Sequence, residues 1–341
     1  MDILIKSLNR SFYLDRCLLS IYKFTKGVEN ITVVDDGTPK KYLDKIKTNF
    51  PNVKIITSSN YEIKSKLLEI GEEINGYIIP VLEWKSIVKK AEKYILVIED
   101  DVWFTDYIDF NIVEKEMNDF DVDLVKLGWQ GSTKYSYNFD KNNISELLIS
   151  QNPNNHIFLA NSFWMSLVID NKYKLRSILH RLNKFNNYTI QEYYELFSIL
   201  MGIYNKKYWE FLWKDITIKV NEKSQMINAV DWRLKNIQNK NSICKTSKEY
   251  LKTTYISTAT NSYRKYKIQF DINKMNYVLN ELWLSGKLDS LNNMPNDYDV
   301  SYLEKVILED EKLKGMIDLN SYKLWINEFK NSAKKYGAIV D

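Results

Sequence analysis

The sequence predicts an α/β fold: a doubly wound, mostly parallel sheet followed by a helical C-terminal region. Three observations predict it. Short apolar runs alternate with helical patterns through the first 130 residues, at spacings that let parallel strands pair. The run Tyr94-Ile95-Leu96-Val97-Ile98 is continuously apolar, the pattern of a strand buried on both faces. Acids follow such runs at Asp35-Asp36-Gly37-Thr38 and Glu99-Asp100-Asp101, where open α/β sheets form their ligand crevice.

In chain order, Ile3-Leu4-Ile5-Lys6 is a strand and Ser7-Leu8-Asn9-Arg10-Ser11 a polar turn. Leu14, Leu18, Ile21 and Tyr22 recur at helical spacing up to Gly27, a helix-ending residue. Ile31-Thr32-Val33-Val34 is the second strand; Asp36-Gly37 turns the chain and Pro39 opens the next helix. Val53-Lys54-Ile55-Ile56-Thr57 is the third strand, and helical stretches at 63–71 and 82–93 lead to the fourth. Val122-Asp123-Leu124-Val125-Lys126-Leu127-Gly128 reads as another strand. Residues 131–155, rich in Asn, Ser, Tyr and Lys, read as a surface excursion. Phe163-Trp164-Met165-Ser166-Leu167-Val168-Ile169 is expected to be a strand, with helices at 171–184 and 189–205. Residues 216–220 form a further strand, Asp231-Trp232-Arg233-Leu234 opens a short helix, and Thr253-Thr254-Tyr255-Ile256 is the last strand. From about residue 270, three apolar stripes predict helices: Val278, Leu282, Trp283; then Tyr302, Val306, Ile307; then Leu324, Trp325, Phe329.

Composition narrows the functional classes. A net charge of +4 on 341 residues is too small to imply nucleic acid by itself. Cys17 and Cys244, far apart, suggest neither a disulfide framework nor a zinc site and suit a reducing compartment. No apolar run reaches membrane-spanning length. The expected setting is therefore the cytoplasm, including its membrane surface. With only His156 and His180 present, read as packed or surface residues, any metal site is built from oxygen and suits Mg²⁺ or Mn²⁺.

The three acids at 99–101 have two readings. Adjacent carboxylates repel and are held together at low cost only around a cation, which points to a divalent metal holding a nucleotide diphosphate. Alternatively, Glu99 caps a strand and Asp100 and Asp101 sit in a solvated turn.

The opening Ser7-Leu8-Asn9-Arg10, with Leu14, Cys17 and Leu18 behind it, resembles the first strand–helix unit of GT-A-type nucleotide-sugar glycosyltransferases, family 2 above all. Val33-Val34-Asp35-Asp36-Gly37-Thr38 resembles that family's second-strand acidic turn, and Glu99-Asp100-Asp101 sits where those enzymes carry a metal-binding D-x-D. The Leu-Val-Ile-Glu-Asp-Asp-Val wording is also similar to lipopolysaccharide-type glycosyltransferases. The resemblance covers roughly residues 1–235. It implies a GT-A-like catalytic domain at 1–265, with a nucleotide-binding half at about 1–130 and an acceptor half at about 131–265, and a helical region at 266–341. It further implies transfer of a hexose or pentose from a nucleoside-diphosphate sugar to an acceptor hydroxyl, with inversion and with Mn²⁺ or Mg²⁺, a surface glycan being the expected acceptor. A nucleic-acid base or a protein is the alternative acceptor.

By the same resemblance, Asp101 is the direct metal ligand, and Glu99 and Asp100 reach the metal, its water or the ribose. Glu99 departs from D-x-D by its length. Asp36 or Asp35 meets the base or ribose, Asn9 and Arg10 lie beside the nucleotide, and Lys64 and Lys66 add positive charge. An inverting transfer needs a base to deprotonate the acceptor. Glu192, in Gln191-Glu192-Tyr193-Tyr194-Glu195-Leu196, matches the family's acidic pattern except that Tyr193 replaces the second acid. Asp231 is the rival base. The loop 257–267, with Arg264, Lys265 and Lys267, is a candidate basic lid. A sugar-1-phosphate nucleotidylyltransferase would carry a glycine-rich loop after the first strand, and residues 7–11 contain no glycine. An inactive binding protein on this fold is the remaining alternative.

Overall fold

The computed structural model describes residues 1–129, 139–153, 161–185, 201–219, 221–261, 266–335 and 338–340. β1 (Asp2–Ser7) leads through a polar turn into α1 (Ser11–Phe24). A two-residue strand, β2 (Thr25–Lys26), precedes β3 (Asn30–Asp35), α2 (Lys40–Asn49), β4 (Lys54–Thr57), α3 (Tyr61–Glu69) and α4 (Val81–Lys90). β5 (Tyr94–Glu99) is followed by β6 (Val102–Phe104), β7 (Ile108–Asp109), α5 (Phe110–Asp119) and β8 (Leu124–Lys126). β9 (Phe139–Asn143) and β10 (Leu148–Pro153) form a hairpin, with α6 (Ser162–Ile169) and α7 (Leu175–Arg181) beyond it. β11 (Gly202–Asn205), α8 (Lys206–Leu212), α9 (Glu222–Lys235), β12 (Ile243–Thr246) and β13 (Leu251–Thr253) follow. Then come α10 (Ile272–Leu284), α11 (Val300–Leu308) and α12 (Leu319–Lys335).

Among the described residues, nine strands form one sheet in the order β4-β3-β1-β5-β11-β8-β12-β10-β9. β4, β3, β1 and β5 are parallel. β11 runs antiparallel to both β5 and β8, and β12 is parallel to β8. The carboxyl ends of β1, β3, β4, β5, β8 and β12 therefore share one edge. Alternation along each central strand divides its side chains between two cores. Ile3, Ile5, Leu96 and Ile98 enter one core with α1, and Leu4, Ile95 and Val97 enter the other with Trp84, Met165 and Trp209. α10, α11 and α12 bury their apolar stripes in the first core. Within those stripes Leu324 is exposed.

Several expectations in the second half are corrected. The run 163–169 is helix α6, not a strand. Its Asn161 cap accepts from the Phe163 amide, and Met165 and Val168 turn inward at helical spacing. A short continuous apolar run does not distinguish these outcomes. The helix expected at 171–184 is broken: a 3-10 turn at Lys172–Lys174 holds Tyr173 and Lys174 at positive φ before α7 begins. Of the pattern at 189–205, residues 189–200 lie outside the described residues, and Gly202–Asn205 is a central strand. Gly202 is required there, because a Cβ would stand 2.6 Å from the Val125 carbonyl oxygen on β8. Residues 216–219 form no strand beyond an isolated Ile78–Lys219 bridge. Asp231 does not open a helix. α9 starts nine residues earlier, at Glu222, where the Asn221 side chain accepts from the Ser224 amide. The expected excursion at 131–155 includes the β9–β10 edge hairpin. The last strand is β13, shifted toward the N-terminus and paired with β6.

Candidate functional site

The site begins with the turn after β1. Asn9 adopts a left-handed φ of 56°, so the chain reverses without glycine. Its amide donates to Thr38 Oγ1 at 2.8 Å, and its carbonyl accepts from Asn280 Nδ2 at 3.1 Å. Arg10 follows as the residue before α1 and is buried. Its two terminal nitrogens fork across the acidic pair: Nη2 to Asp100 Oδ1 at 2.5 Å and Nη1 to Asp101 Oδ2 at 2.6 Å. The Leu8 amide donates to Asp100 Oδ2 at 2.9 Å, and the Asp100 amide donates to the Lys6 carbonyl. Burial pushes the Asp100 carboxyl up to about 7, with Arg10 opposing and Asp101 reinforcing the shift. Asp101 is raised by burial as well. Asp101 Oδ1 is buried and has no hydrogen-bond partner among the described residues.

Glu99 leaves this cluster. It lies across from Lys6 in the β1–β5 register and pairs with its ammonium at 2.8 Å. Lys6, 5.2 Å from the Trp84 ring centroid, holds its carboxyl below the usual carboxylate range.

At the end of β3 the two acids divide their labour. Asp35 is fully buried, and its oxygens accept from the Gly37 and Thr38 amides and from the Ser7 and Thr38 hydroxyls. With four donors it organises the turn and has no oxygen left to offer a ligand. Asp36 accepts from Ser58 Oγ at 2.6 Å and from the Lys64 ammonium, which also donates to the Ile78 carbonyl. Burial raises the Asp36 carboxyl against both partners. Gly37 makes this pair possible, since a Cβ there would stand 2.6 Å from the Lys64 Cβ. Strands β3 and β5 flank β1, so Asp36 and the Asp100–Asp101 pair reach one edge on the order of 10 Å apart.

The structure thus brings Asn9, Arg10, Asp35, Asp36, Lys64, Asp100 and Asp101 together, while the Glu99 carboxylate is held by Lys6. Lys66 is exposed on α3. Asp231 is not brought to this edge. Its neighbour Trp232 donates to Asp123 Oδ2, and Asp123 precedes the start of β8 at the other end of the sheet. Asp123 lies level with Tyr94, roughly 15–20 Å along the strands from the acids. Glu192 and His156 lie outside the described residues, as do Arg264 and Lys265 of the expected lid. Lys267 and His180 are exposed. Cys17 and Cys244 are both free and buried.

Sequence reasoning missed the supports behind the turn. Asn280 spans the Asn9 carbonyl and the Phe12 amide, and Asn276 holds Ser257 Oγ and the Thr258 carbonyl. Asp297 accepts from Tyr13, Thr254, Tyr255 and Tyr298, and the Thr254 amide donates to the Asp101 carbonyl. Arg16 is buried between the Trp103 and Tyr298 rings and donates to the carbonyls of Ser290, Asn292 and Asn296. One signal was available: Asn273, Asn276 and Asn280 share the inward side of an otherwise apolar helical stripe.

Among the described residues no group of three or more His, Cys, Asp or Glu is arranged to hold a metal ion. A divalent cation that takes one or two carboxylates and completes its shell with phosphate and water needs no such cage. The unpartnered Asp101 Oδ1 is a hard donor of the right kind for that mode.

No protein-family model and no curated protein matches the chain. Among solved structures, it is similar to S. aureus TarS 1-349 at 13% identity over 98% of this chain and 90% of that one, with a TM-score of 0.38. It is similar to the bifunctional glycosyltransferase WbbM at 10% identity over 84% and 51%, with a TM-score of 0.35. It is also similar to the galactosyltransferase LgtC in complex with donor and acceptor sugar analogues, at 12% identity over 72% and 73%, with a TM-score of 0.29. Resemblance at this distance leaves the chemistry to be read from the residues themselves.

Proposed function

We propose that this chain is a glycosyltransferase that moves a sugar from a nucleoside-diphosphate donor to an acceptor hydroxyl, with Mn²⁺ or Mg²⁺ as its cation. The observation that supports the reading is the meeting of Asp36, Asp100 and Asp101 with the buried cations Arg10 and Lys64 at the shared carboxyl edge of three adjacent strands. Donor cleavage has an oxocarbenium-like transition state and a diphosphate leaving group that gathers charge. A divalent cation at Asp101 would neutralise that charge without proton transfer. Arg10 keeps the two carboxylates adjacent despite their repulsion and adds a fixed positive charge beside them. Asp36, freed from Lys64 or sharing it, offers an acceptor to the ribose hydroxyls or the base. Lys64 then faces the phosphates. Inversion and a surface-glycan acceptor complete the reading.

A thermal-shift screen of nucleoside diphosphates and their sugars, each with and without Mn²⁺, tests it. Selective stabilisation by one nucleotide that disappears with EDTA is the expected result. Absence of any nucleotide-dependent shift under every metal condition would refute the proposal.

A further inference from the structure

The segment 161–185 exposes apolar and basic side chains together. α6 and α7 pack against one another and bury Met165, Val168 and Leu179 in the second core. Their outer surface leaves Phe163 64%, Leu182 62% and Tyr173 89% exposed, with Trp164 and Ile178 exposed beside them. Ile178 on α7 and Leu182, the residue that caps its C-terminus and donates its amide to the Ile178 carbonyl, are four residues apart and so stand on one face. Tyr173 and Lys174, at φ of 52° and 58°, put a sharp kink between the helices, and Tyr173 projects from it.

The charge of this segment is equally one-sided. Lys172, Lys174, Arg176, Arg181 and Lys184 stand against one acid, Asp170, whose carboxylate is paired with Lys223 and lies 4.0 Å from the Lys172 ammonium. The segment's net charge of +4, five cations less one acid, equals that of the whole chain, so the rest of the molecule is balanced. Large exposed apolar side chains ringed by charge mark a docking surface.

We propose that this face docks on an anionic lipid bilayer. Phe163, Ile178 and Leu182 enter the boundary between headgroups and acyl chains, and the flanking lysines and arginines meet anionic headgroups. The aliphatic pair decides against single-stranded nucleic acid. Bases stack on aromatic rings, whereas Ile178 and Leu182 offer no such face and gain only from hydrocarbon. The inference is independent of the transferase reading.

Flotation of the full chain with vesicles of phosphatidylcholine, alone or mixed with phosphatidylglycerol, tests it. The protein is expected to float with the mixed vesicles at low salt, and to remain behind with phosphatidylcholine alone. The triple variant Lys172→Glu, Lys174→Glu, Arg181→Glu should bind the mixed vesicles on the order of 100-fold more weakly. The pair Phe163→Ser, Leu182→Ser should lose about tenfold or more. All five positions are exposed, and unchanged circular dichroism would show that the fold persists. Both native thiols are buried, so Tyr173→Cys accepts a single environment-sensitive fluorophore, whose emission should shift to the blue with mixed vesicles. Failure to float with the mixed vesicles, or flotation that survives both sets of substitutions, overturns the proposal. So does binding of single-stranded RNA that depends on the segment without vesicle binding.

Discussion

Asp101 uses one carboxylate oxygen on Arg10 and keeps the other buried and, among the described residues, unbonded. A buried acceptor without a partner costs about 1–3 kcal/mol, which is a reason to look for the cation that completes it. Asp101→Asn preserves the shape and removes the charge. It is expected to lower sugar transfer by about 100-fold or more and to abolish Mn²⁺-dependent nucleotide stabilisation, with the circular dichroism unchanged. Transfer at the parent rate would dismiss Asp101 as a ligand. Asp123 offers a prediction away from the site. Burial raises its carboxyl against the hydrogen bonds from Trp232 and Ser242 and the more distant charge of Lys93. The folded chain therefore keeps this proton to a higher pH than the unfolded chain does. The associated stability is complete below the ordinary carboxylate range and is lost as pH rises through the raised value. Asp123→Asn removes that loss, so urea midpoints of variant and parent should diverge in the variant's favour from pH 4 to pH 8. Parallel profiles would refute the linkage. Asp36, Asp100 and Asp101 could be picked out in the sequence because acids directly after apolar runs mark strand ends. Asp297 could not, because its 287–299 neighbourhood reads as solvated turn until Tyr13 and Thr254 are seen to reach it.

At the level of elements, the junction of β3 with α3 shows how a backbone choice sets a charge pair. Gly37 lets α3 approach closely enough for Lys64 to meet Asp36. Gly37→Ala places a methyl group against the Lys64 Cβ and must push α3 outward. Overpacking of this kind costs about 1–3 kcal/mol. The variant should unfold at lower denaturant and bind nucleotide more weakly, as measured by urea titration and thermal shift. Parent-like values in both assays would show that the approach is not needed. The first half of the sheet is legible in the sequence because β1, β3 and β5 are apolar runs between recognisable turns. β11 is not. Its four residues, Gly202–Asn205, read as the end of a helical pattern, and its pairing with β5 and β8 is set by partners distant in the chain. α6 is misread for the opposite reason: Phe163 and Trp164 look like core residues and are exposed. That mismatch between apolarity and burial is the same feature that suggests a membrane-facing surface.

Across the whole molecule, the helices after residue 270 and the turn that carries Arg10 hold one another in place. Thirteen apolar side chains of α10, α11 and α12 lie in the core shared with α1 and the central strands. At about 1.5–3 kcal/mol for each large side chain fully buried, their gross contribution exceeds the 5–15 kcal/mol by which domains are typically stable. Polar contacts fasten the same junction. Arg16 of α1 reaches three carbonyls between Ser290 and Asn296, Tyr13 donates to Asp297, and Asn280 grips the turn on both sides of Arg10. If residues 266–341 were an appendage beside an independent catalytic domain, a chain ending at residue 270 would fold and bind nucleotide. The shared core argues otherwise, because truncation uncovers the α1 face of the sheet and frees the Asn9–Arg10 turn. The truncated chain is expected to lose cooperative urea unfolding and near-ultraviolet circular dichroism, and with them any nucleotide-dependent thermal shift. A sharp unfolding transition together with nucleotide binding by the truncated chain would show that the junction is dispensable.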